Sequence, residues 1–143
     1  MTTTNKPNTW FWVIAVIALL WNLVGLFNFL AATFMKDALA ETSTPEELEL
    51  MNALPSWYFI FFGIATIVGF LACITMLMRK KSTVLLFLIS LIAVLVTEAY
   101  WLLGTDLLEV MGSIAAVLPI VVIIISILLY VYNKGLRQKE ILQ

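Results

Sequence analysis

Histidine is absent from this 143-residue chain, and cysteine occurs once, as Cys73. These two gaps exclude disulfides within the chain, zinc sites built from Cys and His, and imidazole general bases. Charge is scarce as well. Asp, Glu, Lys and Arg make up 12 % of the residues, eight basic against nine acidic, for a formal net charge of -1. No basic surplus is left to neutralise phosphates, so a nucleic-acid partner is not expected. What fills the chain is 63 % hydrophobic residues, with a mean hydropathy of +1.06. Such usage lies outside that of soluble domains and marks a membrane protein whose first partner is the lipid bilayer.

Four apolar stretches of bilayer length stand out, at residues 10–34, 57–78, 83–103 and 112–132. Each is near or above the roughly 20 residues that a spanning helix needs. They are continuously apolar instead of alternating, which excludes a lipid-facing barrel. The expected fold is therefore all-α, a polytopic four-helix bundle forming one domain over residues 1–143. The first stretch is too long for the apolar core of a signal peptide, and no small-residue cleavage site follows it. It is read as an uncleaved first span.

Sidedness follows from the cationic residues, which resist translocation. Lys6, then Arg79, Lys80 and Lys81, then Lys134, Arg137 and Lys139 all fall at one end of the alternating spans. The other end holds Lys36 alone, with Asp37, Glu41, Glu46, Glu47, Glu49, Asp106 and Glu109. Both termini are expected in the cytoplasm. The aromatic residues suit this placement, with Trp10, Trp12, Tyr130 and Tyr132 at the inner edge and Trp57, Tyr58, Tyr100 and Trp101 at the outer one.

The connection around residues 79–82 is so short that spans two and three must be antiparallel neighbours, and the loop around Asp106 is expected to be hardly longer. An up-down-up-down bundle results. The long outer connection carries Thr44, Pro45 and Glu47 in the arrangement of a helix N-cap, a first-turn proline and a reciprocal cap partner. A short external helix is expected over residues 45–53, stopped by Pro55. Its Leu48, Leu50, Met51 and Leu54 are too apolar for a free loop, so it rests on the outer end of the bundle, either as a connector or as a lid over an external cavity. Close helix packing is expected at Gly63, Thr66, Gly69 and Cys73 on span two, at Ala15, Ala18 and Gly25 on span one, and at Gly112, Ser113, Ala115 and Ala116 on span four. Pro119 is expected to kink span four.

One ionisable side chain falls within a span: Glu98, about five residues and ~7–8 Å from the outer end of span three. Carboxylates in that position face the bundle interior and mark functional sites by default. Ser90, Thr97, Glu98 and Trp101 share one face of the helix. Span one offers a counterpart in Trp21, Asn22, Gly25 and Asn28, with Asn28 level with Glu98 and Asn22 near the midplane. Buried amides seek partners, so Asn28 is expected beside Glu98, with Trp21 and Asn22 below. Interhelical hydrogen bonds contribute only ~0.6 kcal/mol on average, whereas a midplane carboxylate costs ~2.5 kcal/mol or more. That imbalance points to a use beyond holding helices together. The candidate ligand-binding residues are therefore Glu98, Asn28, Asn22, Trp21 and Trp101.

No catalytic constellation emerges, because one intramembrane Glu supplies neither a carboxylate pair nor a nucleophile with its base. Ligands for a haem or metal centre are missing too, so no cofactor is expected. Residues 21–29, Trp-Asn-Leu-Val-Gly-Leu-Phe-Asn-Phe, together with Pro55, Ser56 and Trp57 and the basic turn 79–81, resemble a family of small four-span bacterial inner-membrane proteins without an established function, often labelled sugar transporters. Relatives often carry Asp-Tyr where this chain has Asn28 and Phe29. The resemblance implies bacterial origin, an inner-membrane location and the four-span fold. The sequence reading is thus a non-enzymatic membrane protein that binds a small ligand or an ion from outside. A small-solute transporter, which with four helices would need a homo-oligomer, and an accessory scaffold subunit are the alternatives.

Overall fold

In the computed structural model, which describes residues 6–143, every regular element is helical. Four segments are long and apolar enough to cross a membrane: Thr9–Phe34, Ser56–Leu77, Ser82–Gly104 and Ser113–Gln138. The protein is an all-α four-span bundle. Its elements are α1 (Thr9–Phe34), α2 (Lys36–Thr42), α3 (Pro45–Asn52), α4 (Ser56–Leu77), α5 (Ser82–Ala99) continuing as a π-turn over Tyr100–Gly104, α6 (Leu107–Met111), a 3₁₀ turn at Ser113–Ala116, and α7 (Val117–Gln138). One end of the bundle carries α2, α3 and α6 and is called here the capped end. The other carries the α4–α5 turn and the chain's final residues, and is the tail end.

Lipid is as apolar as leucine, so helices associate in it through close van der Waals packing instead of the hydrophobic effect. The α1–α4 seam is built accordingly. Phe11, Ala15, Ala18, Asn22, Gly25, Phe29 and Ala32 recur at alternating spacings of four and three, the stripe that keeps one helix face against its neighbour. Ala15 is fully buried, a Cβ at Gly25 would lie 3.7 Å from Thr66 Cγ2, and one at Gly63 would come within 2.9 Å of the Phe29 ring. The expected stripes on spans one and two are these contacts. Next in order, α4 packs on α5 and α5 on α7, while at the tail end α1 and α7 also share a core of Phe11, Ala72, Met76, Phe87 and Leu129.

Span four departs from expectation in three ways. It runs on to Gln138, and its first turn is 3₁₀ before α7 begins at Val117. Pro119 is then only the third residue of α7, just after the 3₁₀ turn, so the hydrogen bond it forgoes lies at the junction of the two helical segments and not in the middle of the span. Gly112 makes no close helix contact either. It sits at φ 84 with open space around its Cβ position, ending α6 in a conformation that L side chains rarely adopt. The connection after span three is longer than expected because residues 107–111 form α6, anchored by buried Leu107.

The short helix expected over residues 45–53 is present as α3 and carries the full capping box. The Glu47 N–H donates to Thr44 Oγ1 at 3.2 Å and the Thr44 N–H to Glu47 Oε2 at 3.3 Å. An N-cap bond of this kind contributes ~1 kcal/mol. Thr44→Ala is expected to speed hydrogen exchange of the α3 amides about fivefold while the spans keep their protection; uniform exchange across α3 and α4 would contradict the local role.

At the tail end, α4 and α7 close with the same device. Arg79 at φ 57 and Glu140 at φ 61 each take the left-handed position past a helix end. The Lys80 N–H then reaches Thr75 O at 3.0 Å, and the Ile141 N–H reaches Leu136 O at 2.9 Å. Neither position holds glycine, so each turn carries ~1 kcal/mol or more of strain that the surrounding contacts must offset. They do so by joining the two turns. The Gln143 N–H donates to Arg79 O at 2.6 Å, Lys81 N–H to Gln143 O at 3.3 Å, and Arg79 Nε to Ile141 O at 3.1 Å. This clasp drives Leu142 into the bundle, where it is fully buried against the core of α1, α4, α5 and α7.

Candidate functional site

The residues singled out from sequence separate into three places. Asn22 and Trp21 lie at mid-span. Asn22 Nδ2 donates to Ala18 O at 2.8 Å and to Cys73 Sγ at 3.4 Å, and Ser90 Oγ donates across the helix pair to Ala65 O at 2.7 Å. Both side chains close over Gly69, where a Cβ would stand 2.4 Å from Asn22 Oδ1 and 3.0 Å from Ser90 Oγ. The space beside them, lined by Trp21, Phe87, Ser90 and Ser126, is about 20 Å³, which is room for a single water. This knot fixes helix register. Its donors are already committed to protein acceptors, and the space is too small for a solute.

Glu98 sits near the capped end of α5, half-buried and within electrostatic reach of the buried Tyr58 of α4. Tyr58 belongs to an aromatic cluster that ties three spans together. Its ring lies 6.0 Å from both Tyr100 and Phe62, Trp57 meets Tyr100 edge-on at 4.9 Å, and Phe62 meets Phe29 of α1 at 5.4 Å. The aromatics at the capped end therefore pack on one another. Trp101, on the π-turn, is half-buried, and its carbonyl accepts from Thr105 Oγ1.

The expected pairing of Asn28 with Glu98 is not formed. Asn28 is exposed, and among the described residues no hydrogen bond joins the two. The cause is the stripe on α1. Its packed positions near the capped end are Gly25, Phe29 and Ala32, all turned to α4, and Asn28 is one residue out of that register. Level depth was legible from the sequence; rotation about the helix axis was not.

The space large enough for a ligand lies elsewhere, beneath α2 and α3. A cavity of about 420 Å³ opens between the end of α1, the two short helices and the start of α4. Its walls are Leu39, Leu48, Met51, Leu54 and Phe59, and its polar groups are Lys36, Asp37, Asn52 and Ser56. None of Glu98, Asn28, Asn22, Trp21 or Trp101 lines it. Sequence reasoning marked Leu48, Met51 and Leu54 as too apolar for a free loop and offered a lid over a cavity, but it passed over Lys36, Asp37, Asn52 and Ser56 as lining because each is ordinary for a solvated loop. The available signal was the apolar content of α3: Leu50 is buried beneath it while Leu48, Met51 and Leu54 turn to the cavity. Lys36 is exposed, and its Nζ lies 6.0 Å from the centre of the Phe59 ring instead of reaching towards Glu98. The arrangement offers one cation, one carboxylate, two neutral polar groups and an apolar wall. Charged and polar groups thus stand beside an apolar wall in one recess.

The chain matches no protein-family model and has no match among curated proteins or solved structures, so the case for its function rests on this geometry.

Proposed function

We propose that this is a non-enzymatic membrane protein that binds a small amphipathic ligand from the outer side of the membrane, in the cavity roofed by α2 and α3. The cavity itself carries the proposal. Its volume of about 420 Å³ falls in the ~300–1,000 Å³ range of small-molecule sites, and few polar groups in an apolar wall are the usual composition of one. The lopsided charges support the orientation. Seven of the eight basic residues belong to the tail end and Lys36 alone to the capped end, so the capped end is assigned to the outside and both termini to the cytoplasm. The resemblance of residues 21–29 supports a bacterial inner membrane. Binding is preferred over transport because the mid-span knot joins α1, α4 and α5 by direct hydrogen bonds and close packing, which leaves no path along the bundle axis.

The test is a thermal-shift titration of the purified protein with short-chain alkylamines, alkylcarboxylates and zwitterionic amphiphiles. At a hundredfold excess over Kd, a true ligand contributes ~2.7 kcal/mol, or about 9 °C in Tm. Ala40→Trp, which fills the cavity from α2, is expected to abolish the shift while leaving the unliganded Tm within about 2 °C. A shift unchanged by Ala40→Trp, or no shift with any probe, would remove the proposal.

A further inference from the structure

Phe59 is shared between the roofed cavity and a second depression, an apolar groove of about 430 Å³ between α1 and α4. Its walls are Phe29, Ile60, Gly63, Ile64 and Ile67, and it opens sideways from the bundle where lipid chains lie. From Phe59 to Ile67 the groove descends eight helical residues, ~12 Å. That is most of one leaflet's share, about 15 Å, of the hydrocarbon core. Gly63 brings the Phe29 ring, which forms the groove's α1 side, close against the α4 backbone, where a Cβ would meet it at 2.9 Å. A recess with polar groups at headgroup level thus adjoins an open apolar groove at acyl-chain level, and Lys36 stands near the residue they share, its Nζ 6.0 Å from the Phe59 ring.

We infer that the two cavities form one site for a zwitterionic phospholipid of the outer leaflet, with its phosphate at Lys36, its amine towards Asp37, and one acyl chain in the groove between α1 and α4. This rests on the binding role proposed above and names its ligand class. Charge selects the headgroup. Lys36 is the sole basic residue of the capped end, against Asp37, Glu41, Glu46, Glu47, Glu49, Asp106 and Glu109. A purely anionic headgroup would gain one cation but meet Asp37 in the same lining, whereas an amine-bearing headgroup satisfies both signs.

Native mass spectrometry of the full chain, released from vesicles of equal phosphatidylethanolamine and phosphatidylglycerol, tests the assignment. One phosphatidylethanolamine is expected to stay bound at collision energies that strip the other lipids. Lys36→Ala removes a charge-assisted hydrogen bond and is expected to lower retention about tenfold. Ile67→Trp, an exposed position that fills the groove without touching the headgroup recess, is expected to lower it at least as much. Equal retention of both lipids, or preference for phosphatidylglycerol, overturns the inference. Retention sensitive to Lys36→Ala but not to Ile67→Trp overturns the lipid assignment and leaves the roofed cavity as a site for small amphiphiles. If no lipid is retained while the thermal-shift probes still bind, only the phospholipid falls; if both fail, so does the binding role.

Discussion

Gly69→Leu is expected to destabilise the bundle by about 3 kcal/mol, the upper end of what overpacking a well-filled interior costs. At that position the α4 backbone lies directly beneath two polar side chains, with Asn22 Oδ1 2.4 Å and Ser90 Oγ 3.0 Å from where a Cβ would stand. Any side chain must displace Asn22, which then gives up its bonds to Ala18 O and Cys73 Sγ, and must crowd the Ser90 bond to Ala65 O. Each such bond contributes only ~0.6 kcal/mol in a membrane, so most of the loss comes from separating α1 and α5 from α4. Equilibrium unfolding in mixed micelles of denaturing detergent measures it. The attribution is checked by a double-mutant cycle: Gly69→Ala combined with Asn22→Ala should cost at least ~0.5 kcal/mol less than the two single changes added together. Strict additivity would show that Asn22 and Gly69 do not share the contact.

Leu142→Ala is expected to cost about 2–3 kcal/mol, and Leu142→Asp to free the tail altogether. The setting differs from that of Gly69. Leu142 enters the bundle from the aqueous end, so its burial removes apolar surface from water and draws on the hydrophobic effect, which the lipid-embedded seams cannot. Its backbone is held by the clasp of residue 143 with Arg79 and Lys81, and releasing it exposes Phe11, Met76 and Leu136 from the same cluster. Unfolding gives the energy, and carboxypeptidase digestion gives the geometry. The wild-type tail is expected to resist trimming and the Leu142→Asp tail to be cut at least tenfold faster. Equal digestion rates would mean that the tail is not docked in solution. Buried Asn133 lies in this region, with Nδ2 donating to Leu129 O at 2.8 Å and Oδ1 without a partner, an added cost that the tail end carries.

The aromatic cluster at the capped end gives Glu98 a different setting from the one its sequence position suggests. Beside an amide on α1 it would be part of a polar hollow. Against Tyr58, with Tyr100 and Trp57 packed next to it, it belongs to the α4–α5 seam, close to the rigid floor from which α4 rises to the roofed cavity. Aromatic pairs contribute ~0.5–1.5 kcal/mol each beyond their buried area. The cluster therefore holds the start of α4, and with it Ser56 and Phe59 of the cavity wall, in fixed relation to α5.

Composition and local pattern by themselves determined the parts of this protein that depend on one segment at a time. Apolar length defines a span, so the four spans could be read within a few residues, except where polar Asn133 to Gln138 prolong the last one. The capping box at Thr44 and Glu47 was legible for the same reason, since both partners lie within one turn. So were the small residues Ala15, Ala18, Gly63 and Gly69, because close approach in lipid requires them whatever the partner. Tertiary structure decided everything that depends on rotation and on distant neighbours. Asn28 and Phe29 are adjacent in sequence but point about 100° apart, and only the α1–α4 seam settled that the ring packs inward and the amide does not. The place of Leu142, 55 to 70 residues from the buried members of its cluster in α4 and α5, has no local signature. The roofed cavity likewise exists only because α2 and α3 fold across the gap between α1 and α4. Periodicity reports which residues share a face; which face meets which helix is set by packing the whole bundle at once.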